Sequence, residues 1–431
     1  MKICVYGLWH LGSVTSACLA GAGFHVVGLD SDSHTITRLK GGDPPVFEPG
    51  LEDLIKNGLN GGNLSFTSEK SEALKDTDLL WVTFDTPVND NDEADVRKVT
   101  SEIQSVFRYL KNGSAVLISS QLPAGTTAAL ADKFQKEFPG KQVDFYYSPE
   151  NLVLGRAIQA FSKPARVVIG VVHTERREKL STVMKPFCEN ILWMSLESAE
   201  MTKHALNAYL ATCVAFINEI AVLCEKVGAD AADVERGLRS DPRIGQKAYL
   251  KPGNAFSGGT LGRDVAFLRK LAAEKKLPVA LLEGVSASNQ NHQMWVRKKL
   301  SEWLPVLTGR TIAVLGLTYK PGTDTLRRSA AVELCRWLHS QQVKVVAYDP
   351  MVKSLPEELK TCIRLADSPT AAFRAADAVV IATEWEDFKN LKAEEVLSTA
   401  SRALVLDPNG FLKDNFGTHE KIRYLNVGKP L

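Results

Sequence analysis

Three groups of residues in this 431-residue chain have the types and spacing that chemistry requires. The first is Pro252-Gly253-Asn254-Ala255-Phe256-Ser257-Gly258-Gly259-Thr260-Leu261-Gly262-Arg263-Asp264, a glycine-rich stretch that holds two hydroxyls among backbone amides and ends on a cation and a carboxylate. The second is Lys203 and Asn207, which a helix places on one face, one turn apart. Such a pair alone is commonly a solvated helix face; the glycine loop further along turns the reading toward a site. The third is Gly7-Leu8-Trp9-His10-Leu11-Gly12, followed after a second apolar run by Asp30. That arrangement suits a dinucleotide, with phosphates at a helix N-terminus and a carboxylate taking the ribose hydroxyls. A carboxylate at Asp30 favours NAD over NADP. Trp9 stands where a glycine lets the backbone approach a pyrophosphate, so the motif fits both a working dinucleotide site and a Rossmann shell that has lost it.

The elements that must position these groups are legible as periodic runs. Lys2 to Tyr6 reads as a strand, then a helix follows through Gly21, a strand from Phe24 to Leu29, and Asp30. The plan returns as a strand Thr311 to Leu315, Gly316-Leu317, a helix over Ser329 to Ser340, a strand Val343 to Ala347, and Asp349. Between the two halves Glu197 to Val227 reads as one long apolar helix, with further helices over Ala232 to Leu238 and between Val265 and Trp303. The expected fold is α/β: two Rossmann-like, doubly wound domains joined by a long central helix and a helical middle domain. The expected boundaries are 1–195 for an N-terminal Rossmann-like domain that would hold the dinucleotide, 196–305 for a central helical domain carrying loop 252–264, and 306–431 for a C-terminal Rossmann-like domain.

Composition narrows the partners. Lys and Arg number 52 against 50 Asp and Glu, giving a net charge of +2, so nothing draws the whole chain to nucleic acid or a membrane surface. Hydrophobic side chains make up 45%, enough for several cores. Seven cysteines (Cys4, Cys18, Cys188, Cys213, Cys224, Cys335, Cys362) show no CxxC spacing and read as buried free thiols of a reducing compartment, with no metal cluster and no disulfide framework. No apolar run is expected to reach bilayer-spanning length, and the chain is expected to be cytoplasmic.

The loop 252–264 resembles, in order and without a gap, the active-site loop of the UDP-glucose/GDP-mannose dehydrogenase family, P-G-x-G-[FY]-G-G-S-C-[FL]-x-K-D, with Thr260 where that pattern has cysteine. Glu200 to Ala208 resembles the family's A-E-x-x-K-x-x-x-N-A segment. Further matches are Glu48-Pro49-Gly50-Leu51, Thr86-Pro87, Ser148-Pro149-Glu150, Asp241-Pro242-Arg243-Ile244-Gly245, Leu315 to Lys320, Thr323-Asp324 and Thr383-Glu384-Trp385. The resemblance implies NAD as cofactor, a nucleotide sugar as substrate, and a homodimer built on the long helix. In the family a C6 alcohol is oxidised by four electrons through an aldehyde and a cysteine thioester. It assigns catalytic roles to Lys203, Asn207, Asp264 and Glu150, with Thr260 at the nucleophile position. It places Gly7, Leu11, Gly12, Asp30, Thr86, Gln121, Arg263 and Arg327 at the cofactor. The substrate falls to Leu152, Arg243, Tyr249, Leu250, Gly253, Phe256, Gly258 and Lys320, with Arg243 reaching across the dimer.

Three more departures accompany Thr260. Gln121 replaces a threonine, Leu154 replaces the carboxylate linked to hydrolysis, and Arg263 replaces a lysine, keeping its charge but not its shape. A hydroxyl is far less acidic than a thiol of reference pKa about 8.5, and Asp264 is the only base close to it in sequence. Thr260 therefore reads as a wall residue of the pocket, an acyl-threonine route being the lesser alternative. Three functions stay open. One is an NAD-dependent nucleotide-sugar 6-dehydrogenase acting on UDP-glucose or a relative, halted at the aldehyde or reaching the acid slowly through its hydrate. Another is a dehydrogenase of a different nucleotide-linked alcohol, its pocket reshaped by Gln121 and Leu154. The third is a non-catalytic sugar-nucleotide-binding or regulatory homologue. Lys203, Asn207, Asp264 and Asp30 favour catalysis, while Trp9 and Thr260 favour its loss.

Overall fold

A computed structural model describes residues 1–87, 94–150, 152, 154–257 and 260–430. They form two compact units, Met1–Ala205 and Leu206–Leu431.

The first unit is built on eight strands: β1 (Lys2–Tyr6), β2 (His25–Leu29), β3 (Leu64–Thr67), β4 (Leu79–Val82), β5 (Ala115–Ile118), β6 (Asp144–Tyr147), β7 (Val167–Val171) and β8 (Ile191–Met194). They lie in the order β3-β2-β1-β4-β5-β6-β7-β8. Every neighbouring pair is parallel except β6 with β7. The central strands are uninterrupted apolar runs, LLWV in β4 and AVLI in β5, buried at every position. Parallel strands covered on both faces require such runs. Alternation along each strand sends side chains to two cores: Ile3, Val5, Trp81 and Leu117 to one, Cys4, Tyr6, Leu80 and Val116 to the other.

The second unit repeats the plan with six parallel strands, β9 (Thr311–Leu315), β10 (Lys344–Tyr348), β11 (Arg364–Leu365), β12 (Ala378–Ile381), β13 (Leu404–Leu406) and β14 (Arg423–Leu425), in the order β11-β10-β9-β12-β13-β14. Ile312 and Val314 face one core, Ala313 and Leu315 the other. In both sheets the order reverses beside the first strand in sequence, at β1/β4 and β9/β12. The doubly wound architecture expected from the two repeats is therefore present twice. The starts of β2 and β10 each differ by one residue from the expected positions, for one reason. Phe24 and Val343 give their N–H groups to Leu19 and Leu338, closing the preceding helices, so β2 and β10 begin a residue later.

Helices Ala231–Ser240, Leu261–Glu274, Ala280–Gln293 and Trp295–Trp303 also belong to the second unit. Its C-terminal segment is tied to its earliest residues. Gly428 donates its N–H to Glu225 Oε1 (3.0 Å) and accepts the N–H of Ala231 (2.9 Å). Gly428 has φ +80°, and a Cβ there would lie 2.3 Å from the Ala231 methyl group. Glu225 also holds Trp295 Nε1 (2.8 Å) and the buried Lys299 ammonium (2.8 Å).

The helix Leu196–Val227 spans 32 residues, and contrary to the sequence expectation it contains a stretch long and apolar enough to cross a bilayer, with mean hydropathy 1.6. Half of that stretch is buried in the protein. Asn207 and Asn218 interrupt the apolar run yet are themselves buried and hydrogen-bonded, a core-helix pattern that raises mean hydropathy without a continuous apolar sequence. All seven cysteines are buried free thiols.

Candidate functional site

In the first unit the turn after β1 needs its glycines at both ends. Gly7 has φ +99° and a Cβ there would meet the Phe84 ring at 2.8 Å; at Gly12 it would lie 1.9 Å from the Gly7 carbonyl oxygen. Trp9, by contrast, has ordinary extended backbone (φ −71°), and its side chain is 53% exposed. No backbone strain demands glycine there. Leu11 packs inward. Asp30 ends β2 with its carboxylate folded back on the turn, accepting Leu8 N–H (2.7 Å) and Asp32 N–H (3.0 Å). Each carboxylate oxygen retains capacity for a second donor, as ribose hydroxyls require. His10 is fixed by the buried Glu48 (3.0 Å), which also takes the N–H groups of Gly155 and Ala157, both at 2.8 Å. Burial raises the Glu48 carboxyl, but these donors outweigh it and hold the group below its ordinary value.

Lys203 is buried, and its ammonium donates to the backbone carbonyl of Glu150 (2.7 Å). The Glu150 carboxylate accepts the N–H of Leu152 (2.7 Å), while the partly buried Leu152 side chain packs against the core. Thr86 donates to the Gln121 carbonyl (2.6 Å), and Gln121 itself is half-buried. Two residues flanking Lys203 hold the turn after Gln121. His204 Nε2 meets the Leu122 carbonyl (3.1 Å), and Glu200 accepts Gly125 N–H (2.6 Å), Thr127 N–H (2.9 Å) and Thr127 Oγ1 (2.6 Å). Burial pushes the Glu200 carboxyl up. Leu154, at the missing-carboxylate position, is partly exposed.

In the second unit Asn207 and Asp264 are both buried and joined by a short Nδ2–Oδ2 hydrogen bond. Thr260 is exposed and stands at the N-cap of helix Leu261–Glu274, its carbonyl accepting the Asp264 N–H (3.3 Å). Arg263 is half-buried on the first turn of that helix. Phe256 packs against the cluster of Ala208, Ala211, Ala215, Val265 and Val285. Leu250 is buried against Cys213 and Ile217, so its side chain is committed to the core, whereas Tyr249 is 55% exposed. Arg243 projects into solvent and folds back on Asp241 (2.7 Å). Lys320 follows β9, half-buried, with its ammonium over the Tyr319 ring, and Arg327 is exposed. Gly258 lies outside the described residues.

Sequence reasoning assigned no role to Glu48, Glu200 or His204 in the first unit, nor to Asn218, Asn289, His292 and Asn409 in the second. The last four hold Gly253 to Phe256: Asn218 Oδ1 takes Gly253 N–H (3.0 Å), Asn409 Oδ1 takes Asn254 N–H (2.7 Å), Asn289 exchanges two 2.9 Å bonds with the Phe256 backbone, and His292 Nε2 meets the Gly253 carbonyl (2.7 Å). Spacing of four (Glu200, His204) and three (Asn289, His292) on helices was the available signal. Among the described residues no cluster of metal-ligating side chains occurs.

Three consecutive stretches match profiles of one family: the UDP-glucose/GDP-mannose dehydrogenase family NAD binding domain over residues 1–188, its central domain over 197–291, and its UDP binding domain over 313–414. The chain is 35% identical to the UDP-glucose 6-dehydrogenase of Rhizobium meliloti (strain 1021) over the whole of both chains. It is 32% identical to UDP-glucose 6-dehydrogenase TuaD of Bacillus subtilis (strain 168), over 100% of this chain and 93% of that one. Its fold superposes on a UDP-glucose dehydrogenase from Pyrobaculum islandicum with a TM-score of 0.87 at 29% identity, covering 99% and 98% of the two chains. A UDP-D-ManNAc dehydrogenase from Pyrococcus horikoshii gives 0.86 at 25% identity, covering 100% and 99%.

Proposed function

This chain belongs to the UDP-glucose/GDP-mannose dehydrogenase family of NAD-dependent nucleotide-sugar dehydrogenases, and on that premise we propose that it oxidises a UDP-hexose, UDP-glucose or a near relative, at the C6 alcohol and stops at the aldehyde. The observation that carries the reading is the retention of a buried Lys203 in the first unit and of the buried Asn207–Asp264 pair in the second, with a hydroxyl at the sequence position where the family pattern has a nucleophilic sulfur.

NAD suits the first unit: a side chain at Gly7 or Gly12 would close the turn, and Asp30 ends β2 with acceptor capacity to spare. When bound it supplies the hydride acceptor. The chain's own groups handle charge and protons. Lys203, oriented by the Glu150 carbonyl, stabilises negative charge on the C6 oxygen as its proton departs. Asp264, oriented by Asn207, is the base that receives that proton. Loss of the proton and of a hydride from C6 leaves the aldehyde. A second oxidation would need a covalent adduct or a hydrate, and Thr260 offers a hydroxyl too weakly acidic to form the adduct readily.

The exposed face of the long helix supports a homodimer. Tyr209, Phe216 and Leu223, at heptad spacing, are 64%, 47% and 60% exposed, and Val227 continues the apolar strip. A three-domain organisation with boundaries near 195 and 305 and a cytoplasmic location belong to the same reading. Counting NADH per sugar consumed, with UDP-, GDP-, TDP- and CDP-hexoses and mass spectrometry of the product, tests it. One NADH and a trapped aldehyde from a UDP-hexose are expected. Two NADH and a uronate would overturn the halted stage, and absence of turnover would overturn catalysis.

A further inference from the structure

The stretch Gly253 to Phe256 is glycine-bearing and irregular, yet its backbone groups are taken up by side chains from three separate parts of the second unit. Asn218 comes from the long helix, Asn289 and His292 from helix Ala280–Gln293, and Asn409 from the loop after β13. Asn218 accepts Gly253 N–H and donates to the Asn254 carbonyl (3.3 Å). Asn289 uses both ends of its amide on one residue, as a neighbouring strand would, accepting Phe256 N–H and donating to the Phe256 carbonyl. His292, buried, closes the Gly253 carbonyl. Gly253 is glycine because of this clamp: a Cβ there would lie 2.3 Å from Asn409 Oδ1. Three N–H groups of the stretch are thereby committed before any ligand arrives.

We propose that Asn289 and His292, backed by Asn218 and Asn409, are positioning residues that pre-order the loop Gly253–Phe256 for the nucleotide sugar, so that substrate binding does not bear the entropy of ordering it. This rests on the reading of the loop as part of the substrate site. Ordering a free loop at the moment of binding weakens affinity, whereas a loop fixed in advance does not. The side chains act on affinity for the sugar nucleotide and leave the hydride step alone. KM for the sugar nucleotide therefore moves while kcat and KM for NAD hold.

Two measurements on the full chain decide it. In hydrogen exchange of the ligand-free protein, the amides of Gly253, Asn254 and Phe256 are expected to be protected, and Asn289→Ala to abolish protection at Phe256. In steady-state kinetics with UDP-glucose and NAD, Asn289→Ala and His292→Leu are each expected to raise KM for UDP-glucose about tenfold, the effect of roughly one lost hydrogen bond. kcat is expected to stay within about threefold, and His292→Gln, which keeps a donor of similar reach, to recover most of the loss. Should Asn289→Ala fail to fold, the His292→Leu and His292→Gln pair carries the comparison. Fast exchange of all three amides in the wild type overturns the clamp, and an unchanged KM in both variants overturns its role. If calorimetry shows that the wild type does not bind UDP-glucose, the substrate reading fails and the functional part of the proposal with it, while hydrogen exchange still decides the clamp itself.

Discussion

Asp30 and Asp349 hold equivalent places in the two sheets, each accepting at 2.7 Å the N–H of the residue that follows a left-handed glycine, Leu8 after Gly7 and Leu317 after Gly316. Their remaining capacity differs. Asp349 is buried and also takes Thr318 N–H, Thr318 Oγ1, Met351 N–H and Trp385 Nε1, whereas Asp30 is half-buried and takes Asp32 N–H. Five donors of its own chain crowd one carboxylate, four of them on Oδ2, and the other has room for a ribose.

Asp30→Ala is therefore expected to raise KM for NAD by tenfold or more, as loss of hydrogen bonds to a charged acceptor predicts, with little change for the sugar. Asp349→Ala should instead cost about 3 kcal/mol of stability by stranding buried donors, with KM for NAD within about twofold. Denaturant unfolding and steady-state kinetics on the two variants separate these effects.

Trp9 should prove replaceable where Gly12 is not. Its backbone is in an ordinary region and its side chain half in solvent, so Trp9→Gly is expected to cost about 1 kcal/mol or less and to leave NAD affinity within about threefold. Gly12→Ala places a methyl group 1.9 Å from a carbonyl oxygen and should cost about 2–3 kcal/mol while abolishing NAD binding. Calorimetric titration with NAD reads both; tight binding that emerges only in Trp9→Gly would show that the indole blocks the site.

Restoring sulfur at the loop tests the truncated reaction directly. Thr260→Cys is expected to raise the yield from one NADH per sugar to two and to change the product from aldehyde to uronate, because a thiol of reference pKa about 8.5 can add to the aldehyde. Thr260→Ala should keep the first oxidation, since the hydroxyl has no part in it.

Glu200 predicts a pH signature. Its carboxyl is raised by burial, so in the window from the ordinary glutamate range up to its folded-state value the native protein holds a proton that the unfolded chain has released. The stability from this group is complete below that window and declines as pH rises through it. Thermal unfolding from pH 4 to pH 8 should show wild type losing ground to Glu200→Gln as pH increases; a constant difference would refute the assignment.

Phe216→Asp on the exposed face of the long helix is expected to convert a dimer to monomers in analytical ultracentrifugation without altering the far-ultraviolet circular dichroism spectrum. A wild-type chain that sediments as a monomer at micromolar concentration would remove that interface.

Much of this was legible in advance because two periodicities speak plainly. Apolar runs such as Lys2 to Tyr6 and Thr311 to Leu315 mark strands of parallel sheets, and Gly7 and Asp30 recur at Gly316 and Asp349 as one supersecondary plan. Side-chain direction was harder to read. Leu152 and Leu250 occupy substrate positions by resemblance yet point into cores, because an apolar residue in a loop buries its side chain wherever a core is in reach. The residues that hold the loop were harder still. Asn218, the neighbouring pair Asn289 and His292, and Asn409 come from three distant parts of the sequence, and only the folded second unit brings them to one backbone stretch.

The bond between Gly428 and Glu225 sets a timetable for synthesis. Every strand of the first sheet lies before residue 195, so that unit can complete its core while the ribosome is still making the rest. The second unit cannot: Glu225 and Ala231 share a partner in Gly428, which is made 203 positions after the glutamate. The helices of that unit must wait for its sixth strand and the glycine beyond it before the bonds that hold Glu225 and Ala231 can close.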